Sequence, residues 1–388
     1  MRARNVLVDH LRTAFGGATR RAFARLVIAT ALLAGCAFDN GGNNGDGSDD
    51  GGTGSNDPGP CMLADIGLPG ATLSGCSDAN TTDGVRGTAK FSNPVNVALG
   101  PSGIAYVVDF DSSLLRKVDL DGKVTTIFKD KRFNRPFGII IAPDGWLYIE
   151  CDNDTMNGHG NTSGTIWKIN PADPTGANAQ PIFSGMMRPR GLALMSNNKL
   201  AITDYLSMQV LIGDPATGGV TTLAGTYGVA TTQNGKGTGA TFNVPWDLVI
   251  DSDGALIVTD WGDNSLRRVA MDGTVTTYAG TPGLAGNADG PLATATFNLP
   301  KGLTKDASGA IYVTDSGNHT IRKIANGMVT TIAGAVGGGY SDNADPMQAQ
   351  FYGIEGLDVS PDGKRIVVAD GNNGDGSPFN HVRVLTFP

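Results

Sequence analysis

"AIYVTDSGNHTIRKIANGMVTTIAG", residues 310–334, is three strand-length runs separated by turns. "AIYVTD", "TIRKIA" and "VTTIAG" are rich in β-branched residues and roughly alternate, as strands with a buried face do. Just upstream, "LPKGLTK" (299–305) adds a fourth run, opened by Pro300 and closed by a turn. Reading outward, the same order of events follows six anchors: Phe91, Phe133, Met186, Phe242, Phe297 and Phe351. Their spacings are 42, 53, 56, 55 and 54 residues, a period that marks a repeat architecture.

Four-stranded antiparallel units repeated radially are propeller blades. Composition agrees. Glycine supplies 56 of 388 residues, about twice the usual ~7%. Charged residues are 17%, below the usual ~25%, and no sustained helical period appears beyond the N-terminus. "DSGNHTIRKI" (315–324), with Asn-His followed by Ile-Arg, resembles the NHL repeat, as do connectors of the form "AG…DG…A.F". The resemblance spans residues 71–388 and implies an all-β, six-bladed β-propeller of the NHL type. The sixth unit (351–388) stops at "HVRVLTFP" without a "VTT.AG" strand, and "ATLSG" (71–75) stands unaccompanied at the other end. The last blade is therefore expected to be closed by this N-terminal strand, which removes exposed sheet edges.

The N-terminus reads as a targeting segment. Arg20, Arg21 and Arg25 precede ten apolar or small residues ending at Cys36, a signal-peptide length too short for the ~20 residues of a spanning helix. "LAGC" (33–36) resembles the lipobox of bacterial lipoproteins, which implies cleavage after residue 35 and a lipid on Cys36. "TRRAFAR" (19–25) resembles a twin-arginine export motif. Ala37 after the Cys resembles the outer-membrane pattern of some Gram-negative lipoproteins. The expected localisation is thus the bacterial cell envelope, at the outer membrane, with the membrane as a partner through the lipid. Residues 37–60 are Gly-, Asp- and Asn-rich, with almost nothing to bury. They read as a tether with a reach of roughly 27 Å. The propeller then occupies residues 61–388. Removing residues 1–35 takes away six Arg and one Asp, moving the formal charge from −8 to −13. An acidic exported chain is a poor partner for nucleic acid. Cys151 lies inside an apolar strand, which leaves Cys61 and Cys76 for an expected disulfide, worth ~3 kcal/mol in the chain-entropy account.

Internal copies stand in for an alignment. Asp109, Asp204, Asp260, Asp315 and Asp370 end the second strand of their units, with Cys151 in the second unit. Arg116, Arg267, Arg322 and Arg383 recur in the third strand, where Trp167 and Leu211 replace them in units 2 and 3. A carboxylate recurring five times points to scaffolding by turn capping or ion pairing. His319 and His381 are placed at one repeat position, with His159 in the corresponding loop of unit 2. One per blade, they do not predict a zinc site.

Function is expected where the copies differ. The first-strand starts carry Phe137, Arg190, Trp246, Asp247, Lys301 and Glu355, and Phe110, Tyr205 and Trp261 follow the repeated Asp. All nine should meet at one mouth of the channel, a mixture of rings and a few polar groups that suits a ligand. Four long connectors are expected to wall that mouth. The reading is a binding module for an envelope or extracellular protein, a glycan or a small molecule, with no cofactor. The resemblance also implies an alternative, a metal-dependent hydrolase of the gluconolactonase type. It would hold one divalent cation at the channel mouth through Asn96, Asp247 and Glu355, although Glu355 is offset by one residue, which reverses a strand side chain.

Overall fold

Six antiparallel sheets succeed one another around a ring in the computed structural model, which describes residues 71–74 and 81–388 except 154, 155, 157, 159, 161, 174, 336 and 373–379. Cys36, Cys61, Cys76, His159, the targeting segment and the tether lie outside the described residues. The innermost strands are Pro94–Leu99, Pro136–Ile141, Pro189–Leu194, Pro245–Ile250, Pro300–Lys305 and Gly353–Val359. Each touches the next, and the sixth touches the first. Among the described residues no helix is long and apolar enough to cross a membrane.

The ring closes as the half-repeat requires. Ala71–Ser74 pairs antiparallel with His381–Thr386, setting Ala71 opposite Val384 and Thr72 opposite Arg383. Blade 6 is therefore three C-terminal strands and one N-terminal strand.

The apolar residues form six clusters, one in each seam between neighbouring blades. Every anchor falls in a different cluster, and five of the six are fully buried while Met186 is 5% exposed. The sequence period is thus the spacing of seam-filling side chains. In four blades the residue just before the first-strand Pro is left-handed: Asn93, Arg135, Val244 and Leu299 have φ between 52° and 75°. This turns the chain sharply inward, at a local cost of roughly 1–2 kcal/mol for a non-glycine residue.

The repeated Asp and Arg are scaffold. Arg322 reaches Asp315 at 2.7 Å and Asp289 in the connector at 2.8 Å, donates to the Thr296 and Ala288 carbonyls, and lies over the Phe297 ring. Arg116, Arg267 and Arg383 make the same kind of hub on Phe91, Phe242 and Phe351. Blade 3 keeps its Asp without an Arg because the carboxylate has other donors. Asp204 accepts the amides of Met187, Arg188 and Ser207. In blade 2, Trp167 fills the hub and packs edge-on against Phe133.

Two expectations are adjusted. The long connectors do more than flank the mouth: Gly228 and Gly283 donate to the Ser207 and Asp263 carbonyls in the mouth-side loops, and further along the connectors reach the outer strands. Gly235–Lys236 and Gly290–Pro291 pair with the outermost strands Thr274–Ala279 and Met328–Ala333 of the following blades, and Gly84 bridges to Val124. They cover exposed edges, which otherwise invite strand pairing. The two histidines are also not equivalent. Asp315 faces Thr320 whereas Asp370 faces His381, so His319 precedes its strand and His381 begins its own.

Candidate functional site

The first strands and the loops between second and third strands bring the nine sequence-derived residues to one end of the channel. Phe110 contacts Phe137 edge-on at 5.9 Å between centroids, and Phe137 contacts Trp246 at 5.6 Å. Tyr205 and Trp261 lie against Trp246 at 5.4 and 5.8 Å. The rings from blades 1 to 4 thus form one continuous run. Beneath it the Arg190 guanidinium lies 4.0 Å from the Phe137 centroid and 4.6 Å from that of Tyr205. Lys301 sits 5.2 Å from the Trp246 centroid and 2.5 Å from Glu355.

Burial divides the set. Arg190, Lys301 and Glu355 are 3%, 7% and 9% exposed, and Phe137 is buried with them. Phe110, Tyr205, Trp246 and Trp261 are half-buried. Arg190 is paired with Asp152, through a bidentate contact that the sequence reading missed. The signal was available, because Asp152 occupies the repeat position of Phe110, Tyr205 and Trp261. Despite burial, Asp152 and then Tyr205 push the Arg190 pKa upward, so the cation is permanent.

Register explains the glycines at the first-strand starts. Gly138, Gly191, Gly302 and Gly356 occupy the repeat position of Asn96 and Asp247. A Cβ at Gly356 would lie 2.0 Å from the Asn96 amide oxygen, and one at Gly302 2.3 Å from the Glu355 carbonyl. Neighbouring first strands approach too closely there for any side chain.

Asn96, Asp247 and Glu355 do line one small void, with Phe137, Arg190 and Trp246. They do not suit a divalent cation. Asn96 Oδ1 accepts the Val97 amide, both Asp247 oxygens accept amides from Leu248 and Leu303, and Glu355 Oε1 is held by Lys301 while its Oε2 has no hydrogen bond. The void has no room for a water molecule, and hard cations need several free oxygen ligands. Among the described residues no three of His, Cys, Asp and Glu are grouped to hold a metal. His381 is stacked on Tyr340 at 4.2 Å, and burial, with Arg383 nearby, lowers its pKa to about 3. Asp247 is pushed the other way, up to about 7, chiefly by burial and further by Asp358.

The chain's relatives agree with this architecture. The NHL repeat family matches residues 297–324, the anchor and first three strands of blade 5. Teneurin-3 of Mus musculus is 24% identical over 268 residues, covering 64% of this chain and 8% of that protein. NHL repeat-containing protein 2 of Bos taurus is 27% identical over 241 residues, covering 60% and 28%. The chain spans less than a third of either curated relative. Among solved structures, an auxiliary nutrient binding protein from Bacteroides thetaiotaomicron superposes with a TM-score of 0.63 at 18% identity, over 81% of this chain and 75% of that one. The closed ring of six sheets makes this chain a six-bladed β-propeller, and the match inside blade 5 identifies an NHL repeat within it.

Proposed function

We propose that this propeller is a lipid-anchored binding module of the bacterial cell envelope, exported through its N-terminal signal and held at the outer membrane by Cys36. Its ligand meets the mouth where Phe110, Tyr205, Trp246 and Trp261 present ring faces and edges. The observation that carries the reading is their continuity. Four half-buried rings touch through Phe137 and Trp246 over a fixed Arg190 cation. Such a floor offers flat apolar area at low entropic cost, suited to stacking a sugar ring of a glycan or a planar side chain of a partner protein. The solved nutrient-binding propeller from Bacteroides fits a binding role. An enzymatic reading finds less support, because all but Oε2 of Glu355 among the oxygens a cation would need already hold a hydrogen bond or ion pair.

A glycan array and an envelope-protein pull-down with the mature chain test this. Trp261→Ala and Tyr205→Ala should each weaken the captured ligand roughly tenfold, by analogy with aromatic hot spots, with the melting temperature measured in parallel. Capture unaffected by either change, in folded variants, would reject the mouth as the site. Turnover of a lactone or ester with a stoichiometric cation would replace the binding reading by the hydrolase.

A further inference from the structure

Blade 3 keeps an outer edge of a kind that blades 1, 2, 4 and 5 cover or blunt. Its outermost strand, Gly219–Ala224, ends the sheet, and among the described residues no strand pairs with its far side. The strand carries neither a charge nor a proline, two of the devices that keep an edge from accepting another strand. The chain itself is the cause. The link into blade 3 runs from Met186 to Pro189, too short to lend the blade the edge cover that the long connectors bring to blades 1, 4 and 5.

The covered edges show what fits such a strand. Opposite the hub residue the outermost strand carries Thr126 in blade 1, Thr277 in blade 4, Thr331 in blade 5 and Thr222 in blade 3. In blade 5 the connector's Asp289 accepts both the Thr331 amide and its hydroxyl at 2.9 Å, and the next residue, Gly290, pairs with Val329. Asp83 and Gly84 do the same on Thr126 and Val124 in blade 1. In blade 4 it is Gly235, after Asn234, that pairs with Val275. Blade 2 sets Pro181 at the Thr position, opposite Trp167, so no amide is offered there. Thr222 has both groups. It is exposed, and its register is that of Thr331, which turns the amide outward. Its hydroxyl accepts the Gln209 side-chain amide at 3.2 Å, which leaves the hydroxyl proton to donate. Val220 stands where Val329 does.

We propose that the outer edge of blade 3 binds an extended segment of a partner protein that carries Asp followed by Gly, added antiparallel as a fifth strand. The segment's Asp takes the Thr222 amide and hydroxyl, and its Gly pairs with Val220, as Asp289 and Gly290 do on blade 5. In strand addition of this kind main-chain hydrogen bonds give affinity and the side-chain contact gives selectivity. Leu211 stands where Arg322 holds Asp289 in blade 5, so the segment is held less firmly than a connector and can exchange. The site lies on the outside of the ring and does not depend on the mouth being a binding surface.

Isothermal titration of the full-length protein with the end-blocked peptide GNADGPL, the protein's own residues 286–292, tests the proposal, with GNAAGPL as control. Saturable binding of the first is expected. The control should bind roughly tenfold more weakly, the loss typical of a charge-assisted hydrogen bond. Thr222→Pro removes the amide at an edge position where proline is tolerated and should abolish binding. Thr222→Glu, which sets a like charge against the peptide's Asp, serves the same purpose where the Pro variant fails to fold. No saturable binding up to about 5 mM, equal binding of the two peptides, or binding that survives a folded edge variant would each overturn the proposal. So would protection of the Thr222 amide from hydrogen exchange in the protein alone. Protection that rises with protein concentration would make a second copy the occupant, and protection independent of concentration would make it the chain's own N-terminal segment.

Discussion

The Thr314 hydroxyl donates to the main-chain carbonyl of Glu355 at 2.6 Å and accepts the Gly302 amide at 2.7 Å, joining the first strands of blades 5 and 6 through one side chain. Thr259 does the same between Asp247 and Lys301, and Thr203 between Gly191 and Trp246. In blade 2 this place belongs to Glu150, which is fully buried. Its carboxyl lies between Gly138 and the Arg190 main chain, where a Cβ at Gly138 would come 2.0 Å from Glu150 Oε2 and 2.4 Å from the Arg190 carbonyl, yet neither carboxyl oxygen has a hydrogen-bond partner. An ionised carboxylate left without donors in a dry site is costly.

Burial holds the Glu150 pKa well above its ordinary value, against the pull of Arg190 and with Asp247, Asp152 and Asp204 adding to the rise. A carboxyl with a raised folded pKa favours the native state at low pH. That contribution is lost as pH climbs from the ordinary value toward the folded one. Glu150→Gln supplies a donor at every pH. It should stabilise the protein at pH 8 by about 1–3 kcal/mol and give no advantage near pH 4, as read by thermal melts at both. A Gln variant that is less stable at pH 8 would mean that the buried carboxyl carries no such cost there.

The hub in blade 5 should be costly to break. Arg322→Met strands Asp315 and two carbonyls in a dry seam, with an expected loss of about 3–5 kcal/mol. Phe297→Ala opens a cavity in the same seam and should lose a similar ~3–5 kcal/mol. Because Arg322 lies 5.2 Å from the Phe297 centroid, the double variant should lose less than the two together. Denaturant melts measure all three.

Truncation separates tether from clasp. Deleting residues 37–60 should leave the melting temperature unchanged. Deleting through residue 75 removes Ala71–Ser74 from the edge of His381–Thr386 and should lower the melting temperature sharply, with a rise in aggregation at the bared edge.

Cys36→Ser tests the anchor. The variant should move from the membrane fraction to the soluble extracytoplasmic fraction of the producing bacterium, because it lacks the sulfur that would carry the lipid. Retention on the membrane would place the attachment elsewhere.

The sequence alone determined the blade count, the anchors, the Asp and Arg hubs and the strand that closes the ring. Each is a local requirement repeated in most copies, so the copies expose it: a seam needs a large apolar side chain, most hubs pair an Asp with an Arg, and a sixth blade one strand short must find it elsewhere. The nine mouth residues were also legible, since departures from the repeat gather at corresponding positions. Three matters were decided only by tertiary structure. Asp152 neutralises Arg190 from the neighbouring blade, 38 residues away in the chain. Three of the long connectors also pair with the outermost strand of the following blade, covering its edge. The open end of the channel lies opposite the mouth, since side chains from several blades fill one end while the other is lined by strand edges and charged side chains of both signs. Such outcomes depend on which side chains meet across the ring, and a repeat records only what each blade does for itself.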